Sequence, residues 1–134
     1  MDEIEKLAER CKSILRLETA ELGGEYGYNC LPLCVIDAVW SIGVRYGEVK
    51  NVVSRYSAHL GLVSDTLREL HTIQDVLLAM QEKGVEWFAR EVFKNAQRTS
   101  TRNGILKAEA VYLSCEALGR HGINTVQDVP KISW

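Results

Sequence analysis

The segment 31–40, with the sequence LPLCVIDAVW, constrains the fold more than any other part of the chain. Asp37 is its only charged residue. A helix through this segment is apolar on nearly every face, and such a helix has to be surrounded by other elements. Pro32 suits the first turn of a helix, where the N–H that it lacks is not needed. We therefore predict that this segment is the central, buried helix of a bundle.

The remaining segments carry apolar residues at the three- and four-residue spacing of amphipathic helices. Ser64 and Thr72 suit helix N-caps, and Gly84 suits a helix end. No segment shows the alternation of a strand, so we predict an all-α bundle of six or seven helices. The clearest apolar stripes are Ile4, Leu7, Cys11, Ile14 and Leu15; Val49, Val52, Val53, Tyr56 and Leu60; Val85, Phe88 and Val92; and Ile105, Ala108, Tyr112, Cys115 and Leu118.

The chain has the length of one ordinary domain. Its 134 residues, 46% hydrophobic and 25% charged, suffice to bury a core and have a globular composition. We predict a single domain over residues 1–134, with an amphipathic helix over 1–23 and a helical core over 32–130. No apolar stretch is long enough to cross a bilayer, and the charged start MDEIEKLAER is unlike a signal peptide. These features predict a cytoplasmic protein without a membrane partner.

The four cysteines, Cys11, Cys30, Cys34 and Cys115, lie among apolar neighbours. Without an export signal, free buried thiols are favoured over disulfides. Cys30 and Cys34 have a C-x₃-C spacing, which leaves open a thiol- or metal-dependent site if further ligands lie nearby. The three histidines have no paired ligand spacing, so we predict no metal and no cofactor.

Asp37 is the one carboxylate in the most apolar segment. It could be a buried acid with a raised pKa, or simply a partner for an arginine. Nothing close in sequence completes a catalytic group around it, and we predict no catalytic residue.

A polar loop, QRTSTRNG at residues 97–104, stands out in a chain whose net charge is −2. Hydroxyl and amide side chains between arginines are the groups that hydrogen-bond phosphate oxygens. The loop also leads into a helix, whose first turn attracts anions. Gly104 would let a nucleic-acid backbone come close, although a solvated connection is the alternative. The predicted phosphate contacts are Arg98, Thr99, Ser100, Thr101, Arg102, Asn103 and Lys107.

The charge around this loop is one-sided. No acidic residue lies between Glu91 and Glu109. Four cations fall in that interval, namely Lys94, Arg98, Arg102 and Lys107. The local excess of positive charge is what a nucleic-acid partner would require.

The order of these features resembles the helix-hairpin-helix DNA glycosylase superfamily, which has the endonuclease III-like fold. In that family the first core helix ends in an L-S-x-Q-T type turn, and VWSIGVRYGEVKNVV occupies the matching place here, with Ser41 retained and Gly43 at the DNA-inserting glutamine. The family's long helix begins with an N-x-K-A pattern, which RNGILKAEAVYLSCEAL resembles. GINTVQDVP is similar to the segment that leads into the family's hairpin.

The resemblance covers most of residues 30–130 and implies a DNA-repair relative that contacts DNA through two segments. Ser41, Arg45 and Tyr46 would approach DNA from the turn after the central helix. The family's catalytic lysine and aspartate lie beyond its hairpin, and so does its four-cysteine iron–sulfur motif. This chain gives PKISW at that point, so no residue here matches them. We therefore expect no glycosylase activity from this chain alone.

Two functions from different classes follow. The first is a nucleic-acid-associated helical domain related to base-excision DNA glycosylases, which binds DNA weakly through its backbone. The alternative is a non-catalytic helical interaction or oligomerisation module, because an incomplete bundle would expose apolar surface for a second copy or a partner protein. For either function we expect a homo-oligomer or a complex. The salt dependence of binding would distinguish the two.

Overall fold

The computed structural model describes residues 30–42, 46–100 and 102–131. Over these residues the chain forms helices joined by short loops, with no strand beyond one isolated bridge between Arg98 and Leu106. The prediction of an all-α bundle is confirmed. The amphipathic helix predicted over 1–23 lies outside the described residues.

The helices are numbered in chain order. They are α1 (Leu31–Trp40), α2 (Tyr46–His59), α3 (Asp65–Leu70), α4 (Ile73–Lys83), α5 (Val85–Trp87), a π-helix (Phe88–Phe93), α6 (Lys107–Arg120) and a 3-10 helix (Val126–Lys131).

Helix α1 lies at the centre of the bundle, as predicted. All ten of its residues are buried, Asp37 included, and α2, α4 and α6 pack against it. Three aromatic rings meet close to its C-terminal end. The Trp40 and Phe93 rings are 4.6 Å apart, and Tyr56 stacks on Phe93 at 5.7 Å. A segment that is apolar on nearly every face is helical here because every face is covered.

The predicted helix boundaries around α4 are confirmed by their caps. Thr72 Oγ1 accepts from the Asp75 N–H at 3.2 Å, and the Asp75 carboxylate accepts from the Thr72 N–H at 2.9 Å. This reciprocal pair is a capping box with aspartate at the third helical position. Ser64 caps α3 with a single bond, in which its Oγ accepts from the backbone N–H of Leu67. Gly84 ends α4 with φ at 95°, a conformation that favours glycine.

The segment after Gly84 is α-helical only over Val85–Trp87 and then becomes π-helical. The predicted stripe is present, because Phe88 and Val92 are buried and Val85 packs against the core. The wider π turn also buries Phe93, which the stripe did not include. In this way the π-helix completes the aromatic cluster beside α1.

Helix α6 begins at Lys107, two residues later than the predicted Ile105. Ile105 does not join the helix because its backbone pairs with Thr99 across the preceding loop. The Thr99 N–H donates to the Ile105 carbonyl at 2.8 Å, and the Ile105 N–H donates to Thr99 Oγ1 at 3.3 Å.

Candidate nucleic-acid interface

The segment 94–106, which we call the cationic loop, connects the π-helix to α6. Lys94 opens it in the left-handed conformation, with φ at 52°. The Lys107 N–H donates to the Gln97 carbonyl at 2.8 Å, which ties the start of α6 to the first arm of the loop. Together with the pairing of Thr99 and Ile105, this bond makes a closed, hairpin-like turn.

The hydroxyl groups predicted to contact phosphate are hydrogen-bonded within the loop. Thr99 Oγ1 accepts from the Ile105 N–H, and Ser100 Oγ donates to the Arg102 carbonyl at 2.7 Å. These bonds satisfy backbone groups that a surface loop would otherwise leave to water. The two hydroxyls therefore shape the loop. Thr101, also predicted as a contact, lies outside the described residues.

The tip of the loop turns at Asn103 and Gly104. Asn103 has φ at 59°, a conformation that asparagine tolerates better than most residues. A Cβ at Gly104 would collide with the backbone N and O of Ser100. We predicted that Gly104 would let a nucleic-acid backbone come close. In the structure, the backbone that comes close to Gly104 is that of Ser100 in the same loop. Arg98 strengthens the same turn by donating from its guanidinium to the Gly104 carbonyl at 2.9 Å.

Three cations of the loop remain on its surface, because Lys94, Arg98 and Arg102 are exposed. The bond from Arg98 to the loop uses one of the five N–H donors of its guanidinium. Asn103 is exposed as well. A phosphate could reach these four side chains.

Lys107 is the prediction that the structure corrects. The residue is 1% exposed, and its Nζ donates to the Trp40 carbonyl at 3.0 Å and to the Ile42 carbonyl at 2.7 Å. Burial lowers the pKa of this ammonium group. Its charge lies at the C-terminal end of α1, where a cation complements the helix dipole and the last carbonyls. Lys107 is therefore a helix cap supplied from another helix, and it does not reach phosphate.

The turn after α1 is also partly internal. Ser41 Oγ donates to the Asp37 backbone carbonyl at 2.6 Å and to Asp37 Oδ1 at 3.3 Å. The hydroxyl predicted to approach DNA is thus bonded back into α1, and Asp37 accepts it. Arg45 lies outside the described residues, and the side chain of Tyr46 is likewise outside them.

The two segments predicted to contact DNA are adjacent in space. The bond from Lys107 Nζ to the Ile42 carbonyl joins them, although the two residues are 65 positions apart in sequence. Lys107 follows directly on the cationic loop, and Ile42 belongs to the turn after α1. Ile42 is 47% exposed, so its side chain reaches the surface near the base of the loop. The fold therefore brings together two segments that are far apart in sequence.

A groove lies between the π-helix and the cationic loop, with a volume of about 450 Å³. Its lining combines aliphatic side chains with charged and amide side chains. The residues that line it are Glu86, Ala89, Arg90, Lys94, Asn95, Ala96 and Leu106. Arg90 pairs with Glu91 at 3.0 Å. Lys94, the other cation that lines the groove, takes part in none of the described ion pairs.

The first arm of the loop is anchored to α2. Asn95 Nδ2 donates to Glu48 Oε1 at 2.9 Å, and Arg55 donates to the Phe93 carbonyl at 3.0 Å and to Glu48 Oε1 at 3.4 Å. The Asn95 amide and the neighbouring donors lower the pKa of the Glu48 carboxyl. Sequence reasoning missed this anchor, since Glu48 and Asn95 are 47 positions apart and neither belongs to a motif.

The cysteines described by the structure are buried thiols that form no disulfide, namely Cys30, Cys34 and Cys115. Burial raises the pKa of Cys30 to about 11, so its thiol is protonated at neutral pH. Over the described residues, histidines, cysteines and carboxylates form no group that could hold a metal ion. Cys11 lies outside those residues.

A second polar cluster is buried between α2 and α4. The Tyr56 hydroxyl and His71 Nε2 are 2.7 Å apart, and His71 Nδ1 is 3.7 Å from the Asp75 carboxylate. Burial lowers the pKa of His71 and raises that of Tyr56. Tyr56 is completely buried, so this cluster joins α2 to the start of α4 from inside the fold.

Comparison with known families adds one result. Residues 5–133 match the model of a domain of unknown function, DUF8548. The chain belongs to the DUF8548 family. The DUF8548 match includes both the cationic loop and the turn after α1, so both are parts of the family's domain. No curated protein and no solved structure matches the chain. In the part of the chain that the structure describes, no helix is both long and apolar enough to span a membrane.

Proposed function

We propose that this DUF8548 chain is a non-enzymatic, nucleic-acid-associated domain that holds a sugar–phosphate backbone on its cationic loop. The observation that carries the proposal is the exposure of Lys94, Arg98 and Arg102 on one closed loop with no acidic residue in its sequence. Arginine and lysine side chains bind phosphate oxygens by charge-assisted hydrogen bonds. A loop held by its own hydrogen bonds loses little conformational freedom when it binds.

The expected contact is small and does not read sequence. Three cations would neutralise about three phosphates, so the logarithm of the binding constant should fall with the logarithm of salt concentration with a slope of about −3. The net charge of −2 opposes approach to nucleic acid outside the loop. Binding should therefore be weak at physiological salt. The relationship to helix-hairpin-helix glycosylases is part of this proposal, without the glycosylase reaction.

The test is a salt titration of binding, measured by fluorescence anisotropy with a labelled oligonucleotide. The variant Arg98→Gln/Arg102→Gln removes two charges and keeps polar side chains in the loop. We expect its salt slope to be flatter by about two units. The matched control, Lys83→Gln/Arg120→Gln, removes two exposed charges from the ends of α4 and α6 and should keep the parent slope. If the loop variant binds like the parent, or the parent does not bind at about 50 mM salt, the proposal fails.

A second function, an interaction or oligomerisation module, is favoured by a different surface. Helix α3 has no buried residue, and the apolar side chains of Val63 and Leu70 are 79% and 67% exposed. Val63 and Leu70 are seven positions apart in sequence, and contiguous exposed apolar side chains are typical of protein interfaces. Light scattering at micromolar concentration tests this alternative. An oligomer that persists at high salt and is lost in Val63→Ser/Leu70→Ser supports it, and a monomer rules out oligomerisation through this surface.

A further inference from the structure

The groove beside the cationic loop has no role in the contacts described so far. It is an open surface groove with a volume of about 450 Å³. It lies directly against the loop, because Lys94, Asn95, Ala96 and Leu106 are parts of both. A phosphate held by the loop would therefore place the next group of a bound chain at the groove.

The groove is lined by two kinds of side chain. Three are aliphatic, namely Ala89, Ala96 and Leu106, and four are charged or amide side chains, namely Glu86, Arg90, Lys94 and Asn95. A flat group with an apolar face and a polar edge matches this mixture, and a nucleobase has both. A second phosphate matches it less well, since its charge would lie beside the Glu86 carboxylate.

We infer that the groove accepts an unpaired base, so that the domain binds single-stranded nucleic acid in preference to a duplex. The inference rests on the proposed phosphate contacts of the loop. Lys94 would hold the phosphate next to the base, and the aliphatic side chains of the groove would cover one face of the ring. In a duplex both faces of every base are stacked and its edge is paired, so no base can enter the groove without unpairing.

The experiment compares three probes of equal phosphate number: an oligothymidine of about 12 nucleotides, the same backbone without bases, and a duplex. We expect the oligothymidine to bind about fivefold more tightly than the abasic strand, a modest gain because the apolar side chains of the groove are aliphatic and not aromatic. The salt slope should be the same for the two strands, since both present the same charges to the loop.

The variant Ala96→Leu fills the groove without changing charge. It should remove the difference between the oligothymidine and the abasic strand and leave the salt slope unchanged. The control Ala58→Leu adds the same group at an exposed position on α2, outside the groove, and should preserve the difference.

The outcomes separate the two proposals. Equal binding of the oligothymidine and abasic strands, or tighter binding of the duplex, overturns the groove assignment while leaving the loop's phosphate contacts in place. A difference that survives Ala96→Leu also overturns it, because the base would then lie elsewhere. The absence of salt-dependent binding by every probe overturns the function of the loop itself.

Discussion

Two neighbouring polar regions of this molecule have opposite surroundings. In the cationic loop, the side chains of Arg98, Thr99 and Ser100 bond to backbone groups of the same loop. At the base of the loop, Lys107 bonds to the end of α1, which is 65 positions or more away in sequence. The loop therefore depends on its own residues, whereas the junction under it depends on the whole bundle.

The comparison explains why similar residues have different roles. Lys107 and Arg102 are both cations in an interval without acidic residues, but one is 1% exposed and the other lies on the surface. A buried cation is tolerated only where it is fully hydrogen-bonded. Loss of Lys107 should therefore affect folding, and loss of Arg102 should affect binding.

The largest expected effect comes from the junction. Lys107→Met keeps the length of the side chain but leaves the Trp40 and Ile42 carbonyls without their donor. We expect a loss of about 3 kcal/mol in the free energy of unfolding, measured by urea denaturation, since hydrogen bonds to charged groups are the stronger ones. The control Lys50→Met, at an exposed position of α2, should change stability by less than about 0.5 kcal/mol. Equal losses of stability in the two variants would contradict the claim that the buried Lys107 supports the fold.

The sequence predicted the parts of the fold that depend on local patterns. The burial of α1 followed from its composition, and the caps at Ser64 and Thr72 followed from partners three residues away. The role of Lys107 could not be predicted, because its position in a polar stretch looks the same whether the side chain is buried or exposed. Only the packing of α6 on α1 decides which carbonyls it meets.

In the candidate site, too, the features that depend on local sequence could be predicted, and those that depend on packing could not. The exposed cations Lys94, Arg98 and Arg102 were visible as a charge pattern. The anchor between Glu48 and Asn95 was not visible, because it joins α2 to the loop without a motif. The groove was not visible either, since its lining is assembled from the π-helix and both arms of the loop.

A somewhat smaller effect is expected at the second buried polar cluster. Tyr56→Phe removes the hydroxyl that lies 2.7 Å from His71 Nε2 and leaves a ring nitrogen buried without a partner. Such losses cost about 1–3 kcal/mol, and urea denaturation would measure them. Tyr112→Phe is the control, because the Tyr112 hydroxyl bonds an exposed glutamine, Gln81, at 3.2 Å, and water can replace it. A cost at Tyr112 as large as that at Tyr56 would contradict the importance of burial.

Two glycines test the claim that the loop is shaped by contacts with itself. Gly104→Ala would press a methyl group into the backbone of Ser100. We expect it to cost about 1 kcal/mol of stability, to weaken oligonucleotide binding and to speed tryptic cleavage at Arg98 and Arg102. Gly47→Ala places the same methyl group in α2 with nothing within 4 Å and should raise stability by up to about 1 kcal/mol. Tolerance of alanine at Gly104 would mean that the loop changes shape easily.

The smallest expected effect is a pH dependence that belongs to the buried cluster and not to the loop. Burial lowers the pKa of His71 below its ordinary value of 6.5, so the unfolded chain takes up a proton at a higher pH than the folded chain does. The contribution of neutral His71 to the free energy of unfolding is therefore complete above pH 6.5. Stability declines as the pH falls from 6.5 towards the pKa of His71 in the folded state. The Asp75 carboxylate, 3.7 Å from His71 Nδ1, favours the charged ring. It therefore reduces the difference between the folded and unfolded pKa values of His71. Urea midpoints at about pH 7.5 and about pH 5.5 would measure the decline. His71→Phe should reduce it, whereas His121→Gln, at an exposed position after α6, should leave it unchanged. A decline of the same size in His71→Phe would assign the titration to another group.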